Sequence, residues 1–375
     1  MNTKKLGFGF MRMPLLDQND QTAIDVPQVE KMVDRFFEKG FTYCDTAWMY
    51  HNFMSEKTVG KVVVARYPRD SFTVASKMPL GMLKSKEDVE NIFEAQKKNL
   101  GVDYFDYYLL HNMTREDYKA AEKFDVFSFV REKAANGEIR RLGFSMHDTH
   151  EYLDWVLANH PEFSFVQLQI NYLDWESDRI QSRLNYEVCE KYGKDVIVME
   201  PVKGGKLADV PDDVRELLKN AHPGWSPASW AIRFAASLPN VKVVLSGMST
   251  WEQLVDNTTF MENFEPLSED DKAVLAKAAE LILEKPAIDC TACRYCVEEN
   301  DCPKNIAIPD YFALFNKREK GTRADEQEAR EAYKALIERG FGPASACISC
   351  KKCERVCPQH LPVAGLIRRV RFAFE

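Results

Sequence analysis

Four side chains in the first third of the sequence have the types and order needed to hand a proton to a carbonyl oxygen. FTYCDTAWMYHN, residues 41–52, carries Asp45 at the end of an apolar run and Tyr50 five residues further on; FTVASK ends on Lys77 and DYYLLH on His111. A tyrosine's ordinary pKa of about 10 is too high for easy proton delivery near neutrality. A lysine ammonium within a few ångströms stabilises the phenolate, and an aspartate beside the lysine keeps the ammonium charged and oriented. Tyr50 is therefore expected as general acid, Lys77 and Asp45 as its tuning pair, and His111 as the group that hydrogen-bonds the same oxygen. Taken singly, each reads as a strand-end salt bridge or a satisfied core residue. Their occurrence together, in this order, is the specific feature.

A second constellation occupies the end of the chain, where eight of the ten cysteines lie between Cys290 and Glu375. The strings are Cys290-x2-Cys293-x2-Cys296-x5-Cys302-Pro303 and Cys347-x2-Cys350-x2-Cys353-x3-Cys357-Pro358. Three thiolates at x2 spacing wrap one iron-sulfur cube, and a remote fourth followed by proline closes the partner cube. The expectation is two 4Fe-4S clusters, one on Cys290, Cys293, Cys296 and Cys357, the other on Cys347, Cys350, Cys353 and Cys302. Two structural zinc sites are the alternative, but those pair two C-x2-C knuckles. The x5 gap, VEEND, leaves Cys302 the least securely placed of the eight. Cys44 and Cys189, within a strand and a helix, read as buried packing thiols.

The elements that must position these groups follow from periodicity. LGFGFM, FTYCD, FTVASK, YYLLH, IRRLGFS, FVQLQIN, VIVME and VKVVLSG are eight apolar runs of strand length. Amphipathic stretches separate them, such as KSKEDVENIFEAQKKNL with Val89, Ile92, Phe93, Gln96 and Leu100 at helical spacing. Eight strand–helix units predict a (β/α)8 TIM barrel over residues 1–263, with polar strand ends converging at its active face. SEDDKAVLAKAAELILEKP then predicts a helix capped by Ser268 and ended before Pro286, within a linker spanning 264–287. Residues 288–375 are expected to form a small α-helical ferredoxin-like domain, with REKGTRADEQEAREAYKALIERG as a charged helix outside the metal core.

Composition narrows the function classes. The 375 residues are 45% hydrophobic and 29% charged, enough for a large core. A net charge of -8 without a long basic run argues against a nucleic-acid partner. No apolar run is long enough for a secretory signal or a membrane span, so a soluble, cytoplasmic protein is expected, and cysteines crowded in a reducing compartment point to metal ligation rather than disulfides.

The Asp45, Tyr50, Lys77, His111 order, with GFTYCDTA and TVASK around it, resembles the aldo-keto reductases over roughly residues 1–263. CTACRYC with CPKNIAIPDYFALFN joined to such a barrel resembles the branch with a ferredoxin-type domain. The resemblance implies a carbonyl or alcohol substrate and a nicotinamide cofactor, NAD(H) or NADP(H), across the barrel mouth. It places Ser145 and Gln169 on the carboxamide, Gly204 and Gly205 at the pyrophosphate, and Glu252, Gln253 and Asn257 on the adenine side. Met146 stands where an asparagine is usual and Met199 where an aromatic residue stacks on the ring. Gly247 and Gln253 occupy the positions of basic residues that hold a 2'-phosphate, which weakens the case for NADPH and leaves room for a flavin. Hydride moves two electrons and a 4Fe-4S cluster one, so a flavin, on this chain or on a ferredoxin or flavoprotein partner, is implied if both ends work together. The alternative is an electron-transfer protein with a non-catalytic barrel.

Overall fold

The computed structural model describes residues 4–18, 20–284, 288–298, 302–320 and 323–375. Pro286 and the last three residues of VEEND lie outside these. The chain divides into two compact units: Met1–Val202 with Ala221–Leu275, and Lys203–Asn220 with Ala276–Glu375.

In the first unit eight strands close into a barrel in sequence order, β1 (Leu6–Gly9), β2 (Tyr43–Asp45), β3 (Thr73–Pro79), β4 (Phe105–His111), β5 (Ile139–Ser145), β6 (Phe165–Gln169), β7 (Asp195–Met199) and β8 (Val241–Ser246). All pair in parallel, β1 with β8 included. The eight expected runs are the eight strands, to within a few residues at their ends.

Strand periodicity of two sorts every strand into two faces. Cys44, Val74, Tyr108, Leu110, Phe144, Val166, Val196, Val198 and Val244 face outward into a core shared with the surrounding helices. Tyr43, Ala75, Leu109, Phe165, Ile197, Val243 and Leu245 form a separate inner layer. The next inward positions toward the carboxyl ends are Asp45, Lys77, His111, Ser145 and Gln167, so the apolar layer plugs the barrel beneath a polar mouth. Cys44 and Cys189 are buried packing thiols, as expected, their pKa raised by burial.

Local signals set the helix boundaries. The Glu87–Leu100 helix has Glu87, Asp88 and Glu90 in its first turn and ends at Gly101, whose φ of 74° lets its N–H reach the Lys97 carbonyl. Thr114 caps Arg115–Lys123 through the Asp117 N–H, and Ser226 caps Pro227–Ser237 through the Ser229 N–H. Ser268 receives the Asp271 N–H ahead of the Glu269–Leu283 helix.

The second unit has its own apolar core, built from Ile306, Ile308, Tyr311, Phe312 and Phe315, Tyr333, and Val363, Ile367 and Val370. Cys290, Cys296, Cys302, Cys347, Cys353 and Cys357 pack against it, partly buried. The charged segment supplies the last three residues of the Ile308–Lys320 helix and forms the Arg323–Glu338 helix, from which Tyr333 turns inward to donate to the Glu375 carboxylate. Among the described residues no helix is long and apolar enough to cross a membrane.

Candidate active site

Lys77 is fully buried and each of its three N–H donors has an acceptor. Nζ lies 2.5 Å from Asp45 Oδ1, 2.8 Å from the Thr46 carbonyl and 3.5 Å from the Tyr50 hydroxyl oxygen. Burial alone pulls the ammonium's pKa down, but the Asp45 carboxylate and Tyr50 more than offset this, and it stands above its ordinary value. Lys77 is therefore charged at neutral pH. Burial raises the Asp45 carboxyl, opposed by the Lys77 ammonium and by Gln167, which donates to Oδ2 at 3.2 Å. The result is one ion pair at the floor of the mouth with Tyr50 above it, the ammonium 4.9 Å from the tyrosine ring centroid.

His111 meets the Tyr50 ring edge-on, centroids 6.0 Å apart. Burial, then the Lys77 charge and His147, hold its imidazole well below the usual histidine pKa, so it is neutral at physiological pH. Its Nδ1 is buried and makes no hydrogen bond among the described residues. A neutral imidazole with an uncommitted nitrogen can serve a carbonyl oxygen without adding a second charge. The four residues expected to converge do so.

Residues that no sequence motif singles out hold this arrangement. His51, immediately after Tyr50, donates from Nδ1 to the Gln21 carbonyl at 3.0 Å and accepts the Met13 N–H at Nε2, 3.2 Å away. These bonds fix its tautomer and accompany left-handed backbone at His51, Asn52 and Phe53, with φ of 52°, 49° and 67°. Behind β3, Glu56 accepts from Ser76 at 2.6 Å, Gln96 at 2.8 Å and Asn99 at 3.1 Å, and Gln96 also donates to the Lys77 carbonyl at 2.9 Å. Burial raises the Glu56 carboxyl, and these donors oppose it. The motif FMSEKTVG holds Glu56, but nothing in its spacing marks a carboxylate buried behind a catalytic lysine.

The residues assigned to a cofactor are distributed more widely. Ser145 Oγ accepts the Asn112 N–H at 2.9 Å, and its own hydrogen is committed to no acceptor among the described residues, which suits a carboxamide oxygen. Gln169 donates to Asp174 at 2.8 Å, and Asn257 donates to Ser246 Oγ at 2.7 Å. Glu252 and Gln253 are exposed in the first turn of the Trp251–Glu262 helix, whose cap Thr250 receives the Gln253 N–H. The Arg12 side chain lies along Gly247: a Cβ there would meet Arg12 Cδ at 3.1 Å. Gly204 and Gly205 belong to the second unit.

The two cysteine strings share a backbone pattern. Left-handed residues flank the middle cysteine of each, Ala292 and Arg294 in the first and Ser349 and Lys351 in the second, with φ of 52°, 67°, 53° and 58°. A third pair stands three residues past each proline-linked cysteine, Asn305 at 47° and His360 at 49°. Such alternation turns successive N–H groups into a concavity suited to an anionic cluster. The Ala292 N–H already points at Cys290 Sγ, 3.4 Å away. Burial, then Cys293, Cys290, Cys357 and Cys353, raise the Cys296 thiol; burial, with Cys347 and Cys302 among further causes, pushes Cys353 up to about 11. Three of the four cysteines acting on Cys296 belong to its expected cube and the fourth, Cys353, to the other, whereas both cysteines acting on Cys353 belong to its own. Among the described residues no three candidate ligands converge tightly enough for a single ion; a four-iron cube sets its thiolates on separate corners.

Residues 5–280 match the family model for the aldo/keto reductase family, and 289–361 the model for a 4Fe-4S dicluster domain. An aldo-keto reductase of Mycolicibacterium smegmatis is 26% identical over 215 residues, 57% of this chain and 72% of that protein. The 9,11-endoperoxide prostaglandin H2 reductase of Trypanosoma cruzi is 24% identical over 228 residues, 60% and 74% of the two chains. Among solved structures, an aldo-keto reductase from Bacillus halodurans in its holo form superposes with a TM-score of 0.59 at 22% identity, covering 73% of this chain and 91% of that one. One from Klebsiella pneumoniae in complex with NADPH gives 0.56 at 22% identity, covering 77% and 94%.

Proposed function

Because this chain belongs to the aldo-keto reductase family and carries a 4Fe-4S domain, we propose that its barrel reduces a carbonyl, or oxidises the corresponding alcohol, while the cysteine unit passes electrons to or from a partner. The observation that carries the reading is the buried Lys77 ammonium, 2.5 Å from Asp45 and 3.5 Å from the Tyr50 oxygen. Tyr50 enters the network as acceptor from Lys77, and its own O–H is the proton it can hand on. As the carbonyl oxygen gains charge, Tyr50 protonates it and His111 holds it in place. The phenolate left behind is stabilised by Lys77, whose own charge Asp45 maintains.

A nicotinamide bound across the mouth supplies the hydride. Ser145 and Gln169 would hold its carboxamide, and Glu252, Gln253 and Asn257 would line its adenine side. Gly247 and Gln253 bring no charge to a 2'-phosphate, but Arg12, packed along Gly247, would bring one from the short turn Phe10–Arg12 that follows β1. Removing a charge-assisted contact of this kind costs about tenfold in affinity. Arg12→Ala is therefore expected to weaken NADPH about that much and NADH less, in anaerobic binding titrations. Equal losses would remove Arg12 from the phosphate.

The eight cysteines would hold two 4Fe-4S clusters, which when bound carry single electrons. Asn305 matches His360 in backbone conformation and in distance from its cysteine, which supports Cys302 as the counterpart of Cys357 despite the x5 gap. The electron partner is then a ferredoxin or flavoprotein, and a flavin assay on the anaerobic protein shows whether the one-electron splitter resides on this chain.

The test is turnover of a panel of small aldehydes and ketones by anaerobically purified protein with NADPH and NADH, for wild type and Lys77→Met. The expected outcome is a wild-type rate that falls by roughly 100-fold in the variant at unchanged iron content. Wild type without turnover on the panel, or a variant as fast as wild type, would favour the reading as an electron-transfer protein with a non-catalytic barrel.

A further inference from the structure

The segment 203–206, whose glycines are expected at a pyrophosphate, makes three contacts within the second unit, all to residues one or two positions from cysteines of one expected cluster. Lys203 Nζ reaches Gln359 Oε1 at 3.2 Å, and Gln359 is two residues past Cys357. Lys206 pairs with Asp289, the residue before Cys290. Gly204 lies against Thr291, the residue after Cys290, so closely that a Cβ would stand 2.5 Å from the Thr291 carbonyl oxygen and 2.7 Å from its Cα. Gly204 also has a φ of 63°, so a side chain there is refused twice over. At Gly205, by contrast, nothing lies within 4 Å of the Cβ position.

Cys290 and Cys357 are the first and last ligands expected on the same cube. Lys203 and Gln359 are both 2% exposed, so the cation stands in a dry environment where a charge acts further than in water. The other expected cube has a different neighbour at the matching place: the carbonyl of Lys304, two residues past Cys302, lies against Gly342, whose Cβ would stand 2.0 Å from that oxygen and whose N–H donates to the Asn305 carbonyl. Backbone packing takes the position that a lysine side chain takes on the first.

We propose that Lys203 raises the reduction potential of the cluster held by Cys290, Cys293, Cys296 and Cys357 and thereby sets the order of the two clusters in electron transfer. Reduction adds negative charge, which a buried ammonium stabilises, and net charge, hydrogen bonding and exposure are the protein's means of setting such potentials. Lys203 follows Met199, the last residue of β7, by four positions, so the segment leaving that strand contributes to the electrostatics of a cluster. The inference rests on the two-cluster reading, and iron and sulfide content tests that reading separately.

The experiment is a potentiometric titration of the anaerobic, cluster-loaded full chain, followed by electron paramagnetic resonance, for wild type, Lys203→Met and Lys203→Arg. In Lys203→Met one midpoint potential is expected to fall by about 59 mV, a tenfold change in a one-electron equilibrium, while the other stays. Lys203→Arg is expected to keep both near wild type. Two unmoved potentials, or two that fall equally, at undiminished iron content, would overturn the proposal. Gly204→Ala gives a second reading: the added methyl displaces Thr291, and the chain is expected to retain about four of eight irons. Full iron content and unmoved potentials in that variant would equally overturn it.

Discussion

Lys77 commits its three N–H groups to Asp45, Thr46 and Tyr50, and this sets how changes at the site combine. Lys77→Met leaves Asp45 as a buried carboxylate without its ion pair, a loss of about 3–5 kcal/mol of stability that urea unfolding would register. Tyr50→Phe strips the proton, whereas Lys77→Met strips the charge that stabilises the tyrosinate. Both remove one mechanism, so the double variant is expected to be little slower than either single one. Multiplied losses in kcat would show that the two residues act independently. Asp45→Asn separates charge from shape. Without the carboxylate, burial drives the Lys77 pKa down, and a base with a lowered pKa is charged only on the acid side of it. The activity of Asp45→Asn is therefore expected to recover as pH falls from about 9 to 6, with the alkaline limb of kcat/KM displaced to lower pH. A profile superimposable on wild type would refute the pairing. The tetrad was legible because Asp45, Lys77 and His111 are strand-end residues whose inward direction follows from period two. Gln167 obeys the same rule, but an uncharged side chain inside a strand carries no signal of a role until its neighbour is known to be Asp45.

At the scale of elements, the strands could be read from apolar runs, and the start of the Glu269–Leu283 helix from its cap, Ser268. The segment that carries Tyr50 could not. Its left-handed run from His51 to Phe53 is accompanied by bonds from His51 to Met13 and Gln21, contacts 38 and 30 residues away in sequence that no local propensity encodes. Glu56 behind β3 was hidden for the same reason, its three donors coming from Ser76, Gln96 and Asn99. His51 gives this element a measurable pH dependence. Burial lowers its pKa, so below the unfolded value of about 6.5 the unfolded chain takes up a proton that the folded chain resists. The stability from neutral His51 is present above that pH and declines as pH falls toward the lower folded value. The His51→Gln chain is expected to be less stable at pH 7.5 and to lose less on going to pH 5.5. Urea midpoints at both pH values, for both proteins, would show it, and identical slopes would contradict it.

At the scale of the whole molecule, the chain joins an aldo-keto reductase barrel to a 4Fe-4S domain, and the spacing of its cysteines marks the second without marking which segments surround it. Residues 203–220 belong by contact to the cysteine unit, because Lys203, Gly204 and Lys206 engage Gln359, Thr291 and Asp289, pairings between segments more than eighty residues apart. Cys350→Ala is expected to remove one cluster, leaving about four irons and an intact barrel by circular dichroism. Zinc in place of iron after anaerobic reconstitution of the wild type would refute the cluster assignment. The most direct test of the account is carbonyl reduction by Tyr50→Phe, prepared without oxygen and driven in parallel by a nicotinamide and by a chemically reduced ferredoxin. The account predicts about eight irons, unchanged nicotinamide affinity and a rate at least roughly 100-fold below wild type with either donor. Wild-type turnover in Tyr50→Phe with either donor would contradict it.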